Sequence, residues 1–479
     1  MFQNYIISQK QNIIGGLCDL ITYPSISKES LDSHFPFGKA CSDCLKYFLN
    51  LADSLGFRTK NIDGYCGYAE FGEGKELIGI VGHLDVVPAI EEDWTYLPFT
   101  PTIANGRIYG RGTIDDKGPV IASLYAMKSV MDYVKSNDIK LNKRIRLIVG
   151  LNEEKNWKCI EYYKQKEETP TIGFSPDSDF PCIFAEKSVI SIILKEPLPI
   201  FNSNGIFSKI NQPAIHIEEI NCGNNAINVV PKICSIVFSI RKPLIITSVI
   251  SFLKKTIEKY NYDIDIYKID NNRIKLTSYG VASHSAHPEL GVNAITKLII
   301  IFQDLLKECK INIPILSKFC EYIGDNYSGI NIGLNIEDES GKLTLNTSQF
   351  YLEDNIINIG INLRVPVHTK PNEVISVFEE KFINNVSILG IKDSLFIDKN
   401  DKLIQTLCNI FNESCNTNLE PIAIGGATYA RAFPNCVSFG MNFPGDKDMC
   451  HQVDEFVDIN KLLFACNIYA KAIYELAKD

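Results

Sequence analysis

The chain has 479 residues, 45% of them hydrophobic and 22% charged, the make-up of a globular protein long enough for two compact units. Lys and Arg number 48 against 57 Asp and Glu, a net charge of −9, so the basic surface that a nucleic-acid binder needs is missing and no such partner is expected. No apolar run approaches the ~20 residues that span a bilayer, and Met1 to Ile7 lacks the basic and apolar regions of a secretory signal, so no membrane partner is expected either.

In chain order, Lys39 to Phe57 reads as an amphipathic helix, with Cys44, Leu45, Phe48, Leu49 and Leu51 at helical spacing. Cys41 and Cys44 are spaced C-x-x-C, but no second pair completes a four-thiolate zinc site, so both are read as buried small hydrophobes. Leu77 to Gly82 and Ile145 to Leu151 are apolar strands, and Val120 to Val134 between them has a helical period. This alternation predicts an α/β sheet with parallel strands. From 188 to 385 the pattern changes to alternating strands, such as Ser235 to Ile240 and Ile356 to Leu363, separated by helical stretches at Asn293 to Lys307 and Asn372 to Phe382. The first style returns in the strand-like Cys436 to Met441 and a closing helix, Asn460 to Ala477. The expected fold is therefore a discontinuous α/β domain with a mixed, mainly parallel sheet, residues 1–187 and 386–479, interrupted by an inserted α+β domain, residues 188–385. The 15 Cys are an odd number without a disulfide framework, the usage of a reducing compartment; the cytosol is the expected location.

Several apolar strands end in side chains that can hold a metal. Leu77 to Gly82 delivers His83 and then Asp85; the Ile145 run delivers Glu153 and Glu154; Thr171 to Phe174 leads through Ser175 and Pro176 to Asp177; and the Cys436 run is followed by a loop ending in His451. The glycine-rich turn Gly110 to Ile114 presents Asp115 and Asp116. Ligands gather outside the carboxyl ends of strands in open α/β sheets, so acids and imidazoles repeatedly placed there read as one metal site. A single His or Glu-Glu pair in such a place would be read as structural or solvated.

Gly82-His83-Leu84-Asp85-Val86-Val87-Pro88, Gly110 to Gly118 and Asn152-Glu153-Glu154 resemble the signatures of the dinuclear metallopeptidases of the aminoacylase, glutamate carboxypeptidase and succinyl-diaminopimelate desuccinylase family. The likeness continues through Ser175-Pro176-Asp177, Gly280 to His284, Gly425 to Ala430 and His451 to Glu455. It implies that His83, Asp115 and Asp177 hold one divalent ion and Glu154 and His451 a second, with Asp115 bridging. It further implies a cis peptide between Asp115 and Asp116, a catalytic domain in the two outer segments and a lid in the insert. Carboxylates with imidazoles suit Zn²⁺ first, and also Mn²⁺ or Co²⁺. Two ions sharing a water would activate it, with Glu153 taking its proton. Asp85 would fix the tautomer of His83, or cap a turn. From the insert, His284 would stabilise an oxyanion, with His287 as a competing candidate, and Arg364 would bind a substrate carboxylate, assisted by Asn228. Gly425, Gly426 and Thr428 would line the pocket. His34, His216 and His368 match nothing and are read as surface or packing residues.

Within the family the chain looks most like PepV-type dipeptidases. Asp177, where Glu accompanies carboxypeptidases and N-acyl hydrolases, fits a substrate with a free amino group, and the long insert would stand in for a partner subunit, so a monomer acting on small peptides is expected. An N-acyl-amino-acid deacylase or desuccinylase is the alternative within the family, and a non-catalytic metal-binding paralogue the alternative outside it. Ala427 stands where the family has Gly, and Cys450, directly before His451, is read as a buried thiol.

Overall fold

In the computed structural model, which describes residues 1–198, 215–222, 226–240 and 246–478, Leu77–His83 is a strand buried at every position. Burial without alternation is what a strand covered on both faces requires, and its two neighbours, Arg144–Gly150 and Ile172–Ser175, run parallel to it. The sheet follows the order Arg58–Ile62, Cys66–Phe71, Arg144–Gly150, Leu77–His83, Ile172–Ser175, Cys436–Ser438, Ile183–Glu186, Leu395–Phe396. Its centre is parallel and its margins antiparallel. Two long helices, Lys117–Ser136 and Ile459–Lys478, pack on each other and on the central strand. The inward face of the second is nearly all apolar, from Leu462 to Ala477.

The chain divides into two units. The first comprises Met1–Ala185, Leu395–Ile422 and Thr428–Asp479, and the second Glu186–Ser394 with Ala423–Ala427. The second is built on two antiparallel sheets, ordered Thr344–Glu353, Ile356–Val365, Ser188–Pro197, Val386–Lys392 and Ile215–Asn221, Ile233–Ile240, Arg273–Tyr279, Ile264–Lys268. Their apolar faces and the helices Ile246–Tyr260, Ala294–Glu308 and Pro371–Lys381 share one core. Asn293 starts the middle helix, its side chain accepting the N–H groups of Ile295 and Thr296, an N-cap that satisfies two otherwise orphaned donors. The architecture is an α/β domain interrupted by an α+β insert.

Two boundaries differ from the sequence expectation. The insert runs to Ser394 rather than to residue 385, because Val386–Lys392 pairs antiparallel with Ser188–Pro197 and completes that sheet. Ala423–Ala427, expected in the outer domain, belongs with the second unit, where the Ile424 carbonyl accepts the Lys187 N–H (3.0 Å) and the Gly425 carbonyl accepts from Arg364 Nη1 (2.6 Å). One cysteine pair was not foreseen: Cys222, just past the strand Ile215–Asn221, and Cys234, on the neighbouring strand, are joined as a disulfide, while Cys41 and Cys44 are buried free thiols as expected. Among the described residues, no helix is long and apolar enough to cross a membrane.

Candidate metal centre

The central strand carries His83 to the carboxyl edge of the sheet. There its backbone N–H donates to Asp116 Oδ2 (2.9 Å), an approach that needs Gly82: a Cβ at that position would lie 2.4 Å from the same oxygen. Asp116 follows a cis peptide with Asp115. The glycine-rich turn before them is held from outside by Glu455, whose Oε1 accepts the N–H groups of Gly112 (3.0 Å) and Ile114 (2.9 Å) while Oε2 pairs with Arg111 (2.6 Å). The turn then folds back so tightly that a Cβ on Gly118 would meet the Thr113 carbonyl at 2.1 Å.

Glu153 and Glu154 follow the Arg144–Gly150 strand, and Asp85 fixes them there. Its Oδ1 accepts the Glu153 N–H (3.0 Å) and its Oδ2 that of Glu154 (3.2 Å). The structure thus changes the part expected of Asp85. His83 Nδ1 lies 2.9 Å from the Asp85 backbone carbonyl and 3.6 Å from its carboxylate, so the main chain sets the ring and the side chain sets the glutamate loop. Asp177 follows Ile172–Ser175, whose last hydroxyl donates to the Val81 carbonyl (2.7 Å) and ties the two strand ends together. His451 arrives in the left-handed region, at φ +63°.

These loops converge. Asp115 turns one oxygen to each imidazole: Oδ1 lies 3.0 Å from His83 Nε2 and Oδ2 lies 3.0 Å from His451 Nε2. Asp177 completes the first group at 3.5 Å from His83 Nε2, and Glu154 the second at 3.0 Å from His451 Nε2. Ligand-capable atoms of His83, Asp115 and Glu154 fall within 4.8 Å of one another, as do those of His83, Glu153 and Asp177. No cysteine joins either group, and Cys450 is half-buried with its N–H on Asp448.

The donor chemistry fits cations. A carbonyl oxygen only accepts, so His83 Nδ1 donates to it and Nε2 is the nitrogen turned to the acids. Nε2 is buried with the Asp115 and Asp177 carboxylates crowded on it, and so much negative charge there calls for positive charge between them. The acids show the same need. Burial, and next the Asp115 charge, push Glu154 up to about 8 and Asp177 up to about 6. Burial raises Asp116 as well, with the Asp177 charge adding to it. Burial opposes a charge on His451, but Asp115 and Glu154 outweigh it and raise the imidazole. The cluster draws in positive charge, as residues that can hold a metal do.

Glu455 and Asp116 escaped the sequence reading as site-builders. Glu455, four residues beyond His451, closes a stretch that carries part of the family likeness, but the likeness gave it no role of its own, and it is fully buried. The remaining candidates, except Thr428 in the first unit, lie in the second. His284 bridges to Val229, and its Nδ1 accepts the Ala286 N–H (3.3 Å), which leaves the proton on Nε2. His287, the competing candidate, pairs instead with Glu289 (3.1 Å). The Asn228 carbonyl accepts the Ser285 N–H (2.9 Å). Arg364 is 4% exposed, with Nε on Asn362 Oδ1 (3.0 Å) and Nη1 on the Gly425 carbonyl (2.6 Å), so Gly425 enters as the acceptor that aims the guanidinium.

Comparison with known proteins agrees with the resemblance. The "Putative dipeptidase YtjP" of Bacillus subtilis (strain 168) is 35% identical over 485 residues, covering 99% of each chain. A "Putative dipeptidase" of Staphylococcus epidermidis (strain ATCC 12228 / FDA PCI 1200) is 31% identical over 491 residues and covers all of both. Among solved structures, human carnosine dipeptidase 1 and the dipeptidase Dug1p of Saccharomyces cerevisiae each share the fold at a TM-score of 0.59 and 14% identity, over 100% of this chain and 98% of theirs. The family model for peptidases M20/M25/M40 matches residues 79–475, a span that holds His83 at one end and His451 near the other, and the chain belongs to that peptidase family.

Proposed function

We propose that the chain is a metal-dependent dipeptidase acting on small peptides whose amino and carboxyl termini are both free. The observation that carries this is Asp115, whose two oxygens each lie 3.0 Å from a different imidazole, the arrangement of a bridging ligand between paired ions. In this reading His83, Asp115 and Asp177 hold one ion and Asp115, Glu154 and His451 the other, with Zn²⁺ as the first choice and Mn²⁺ or Co²⁺ as substitutes. Such ions polarise a peptide carbonyl and make a water acidic enough to attack it near neutral pH.

The rest is work for the chain's own side chains. Glu153 takes the proton of the attacking water and hands it to the leaving amine nitrogen. Arg364 binds the substrate carboxylate by paired hydrogen bonds, assisted by Asn228, and His284 donates from Nε2 to the oxyanion of the tetrahedral adduct. Asp177, shorter than Glu, leaves room and charge for the substrate ammonium. Relatives that match end to end and carry the name dipeptidase support the substrate class. A cytoplasmic monomer completes the proposal, and light scattering checks the oligomeric state.

A dipeptide panel run beside N-acylated analogues, before and after chelation, tests it. Free dipeptides should turn over faster, chelation should stop the reaction, and Zn²⁺ should restore it. Glu153→Gln should lower kcat by about 10²–10⁴-fold with metal content unchanged. Faster hydrolysis of the blocked analogues would give the deacylase instead, and undiminished turnover in Glu153→Gln would remove the mechanism.

A further inference from the structure

Three of the loops that carry the metal-binding candidates are tied to one stretch of chain near the amino terminus, Leu20 to Ser27. The helix Lys10–Ile21 stops shortly before Pro24, because a residue ahead of proline is kept out of the helical region and proline has no N–H to donate. The chain beyond runs on without regular structure, yet Ser25 and Ser27 are 0% and 1% exposed. Their bonds go to the loops. Ser25 Oγ donates to the Leu84 carbonyl (2.6 Å) and the Ser25 carbonyl accepts the Val86 N–H (3.1 Å), one bond on either side of Asp85. Ser27 Oγ accepts from Asn152 Nδ2 (2.8 Å), next to Glu153. The carbonyls of Leu20 and Tyr23 accept from the Lys117 ammonium at 3.0 and 2.7 Å, just beyond Asp115 and Asp116.

Lys117 is not explained by its own helix. It is the first residue of Lys117–Ser136, where the helix dipole favours an acid over a base, and it is 0% exposed. Its stem passes under the glycine-rich turn, so close that a Cβ on Gly112 would lie 2.9 Å from Lys117 Cδ. Its head ends against the last turn of Lys10–Ile21. The carboxyl end of a helix is negative and presents carbonyls outside the helix's own ladder, which is what a buried ammonium needs. An apolar side chain could fill the same space, but only a long cation joins the turn above to the segment below.

We infer that Leu20 to Ser27 is a brace that sets the spacing of the metal ligands, and that Lys117 is the positioning residue through which it holds Asp115. The sheet fixes where the strands end. The loops beyond them must be brought to within about 0.5 Å of a productive arrangement by hydrogen bonds from behind. Asp115 has the most demanding place, facing two imidazoles at 3.0 Å each, so a small shift of its turn is felt at both. Ser25 and Ser27 hold the loops of His83 and Glu154 to the same segment, so the three loops share one reference. This role rests on the two-ion reading of the site.

The test is Co²⁺ titration of the full-length enzyme freed of metal, read by visible absorption, which follows coordination geometry, with steady-state kinetics on the same preparations. Lys117→Met keeps the stem and removes the ammonium. It should weaken Co²⁺ binding by about tenfold, change the spectrum at saturating Co²⁺, and lower kcat by about tenfold while KM stays within about twofold. Ser27→Ala removes one hydroxyl and should move affinity and spectrum the same way by a smaller factor; should Lys117→Met fail to fold, Ser27→Ala decides alone. Val130→Ala is the control, a side chain 0% exposed on the same helix and about 20 Å along it from Lys117. It should lower the melting temperature and leave Co²⁺ affinity and spectrum native. Native affinity and spectrum in Lys117→Met and Ser27→Ala, or the same spectral change in Val130→Ala, would overturn the brace and leave the two-ion site standing. A native enzyme that takes up no Co²⁺ would overturn the two-ion site, and the brace with it.

Discussion

Asp85 illustrates how much a single buried carboxylate organises. It accepts two consecutive backbone N–H groups, those of Glu153, the proposed base, and Glu154, a proposed metal ligand. Asp85→Ala would leave both donors buried and unpaired, at about 1–3 kcal/mol each, and would free Glu153 and Glu154 to wander. The expected result is a lower melting temperature and a kcat that falls far more than KM changes, measured by thermal unfolding and steady-state kinetics on one preparation. Glu455 carries a heavier structural burden, because its pairing with Arg111 is almost wholly buried, 4% and 0% exposed at the two side chains. Glu455→Ala leaves a buried guanidinium without its partner, and a loss of about 3–5 kcal/mol in unfolding free energy is expected, read from denaturant titration. The metal-binding candidates were legible in the sequence because strand, turn and acid stand next to one another in the chain. Glu455 was not, since what it touches lies about 340 residues earlier.

At the level of the element, the sheet's parallel centre was readable from two runs, Leu77 to Gly82 and Ile145 to Leu151, with no polar interruption except Arg146. That arginine is itself explained: its guanidinium lies 3.9 Å over the Tyr68 ring and pairs with Glu70. Strand Val386–Lys392 was harder. Most of its side chains are exposed or half-exposed, so it has little of the burial pattern that signals a strand, and only its pairing with Ser188–Pro197 assigns it to the insert. The short Ala423–Ala427 segment is likewise placed by backbone hydrogen bonds, which leave no mark on composition. The glycine-rich turn makes the sharpest element-level prediction. Gly118→Ala would drive a methyl into the Thr113 carbonyl, backbone that cannot rotate away, so it should cost stability by about 1–3 kcal/mol or more. Gly82→Ala meets side-chain ends instead, Asp116 Oδ2 at 2.4 Å and Val120 Cγ2 at 2.7 Å; it should fold with lowered stability and lose metal affinity, as measured by competition with a chromogenic chelator.

Across the whole molecule, the candidate ions would be held by loops from 83 to 85, 110 to 118, 151 to 155, 175 to 179 and 449 to 455, all in the first unit. Anything that binds the native state alone stabilises it in proportion to the logarithm of ligand concentration over Kd. Chelation should therefore lower the melting temperature, and hydrogen exchange should quicken in those loops while the two sheets of the second unit stay protected. Uniform quickening through both units would instead mean that the ions support the entire chain. The two-unit plan was visible as a change of strand style near residue 188, because alternation and continuous burial are different patterns. The Cys222–Cys234 link was not, since its partners are joined by cross-strand register rather than by any spacing that marks a pair.

The strand Cys436–Ser438 lies inside the first unit's sheet, between Ile172–Ser175 and Ile183–Glu186, though it is made some 250 residues after them. A ribosome building this chain therefore releases a half-finished sheet with an open slot and two unsated edges. It must keep that surface from sticking to others for on the order of tens of seconds while the whole insert is translated. His451 emerges later still. If His451 holds a metal as proposed, the nascent chain cannot complete its metal centre until almost its last helix has been made.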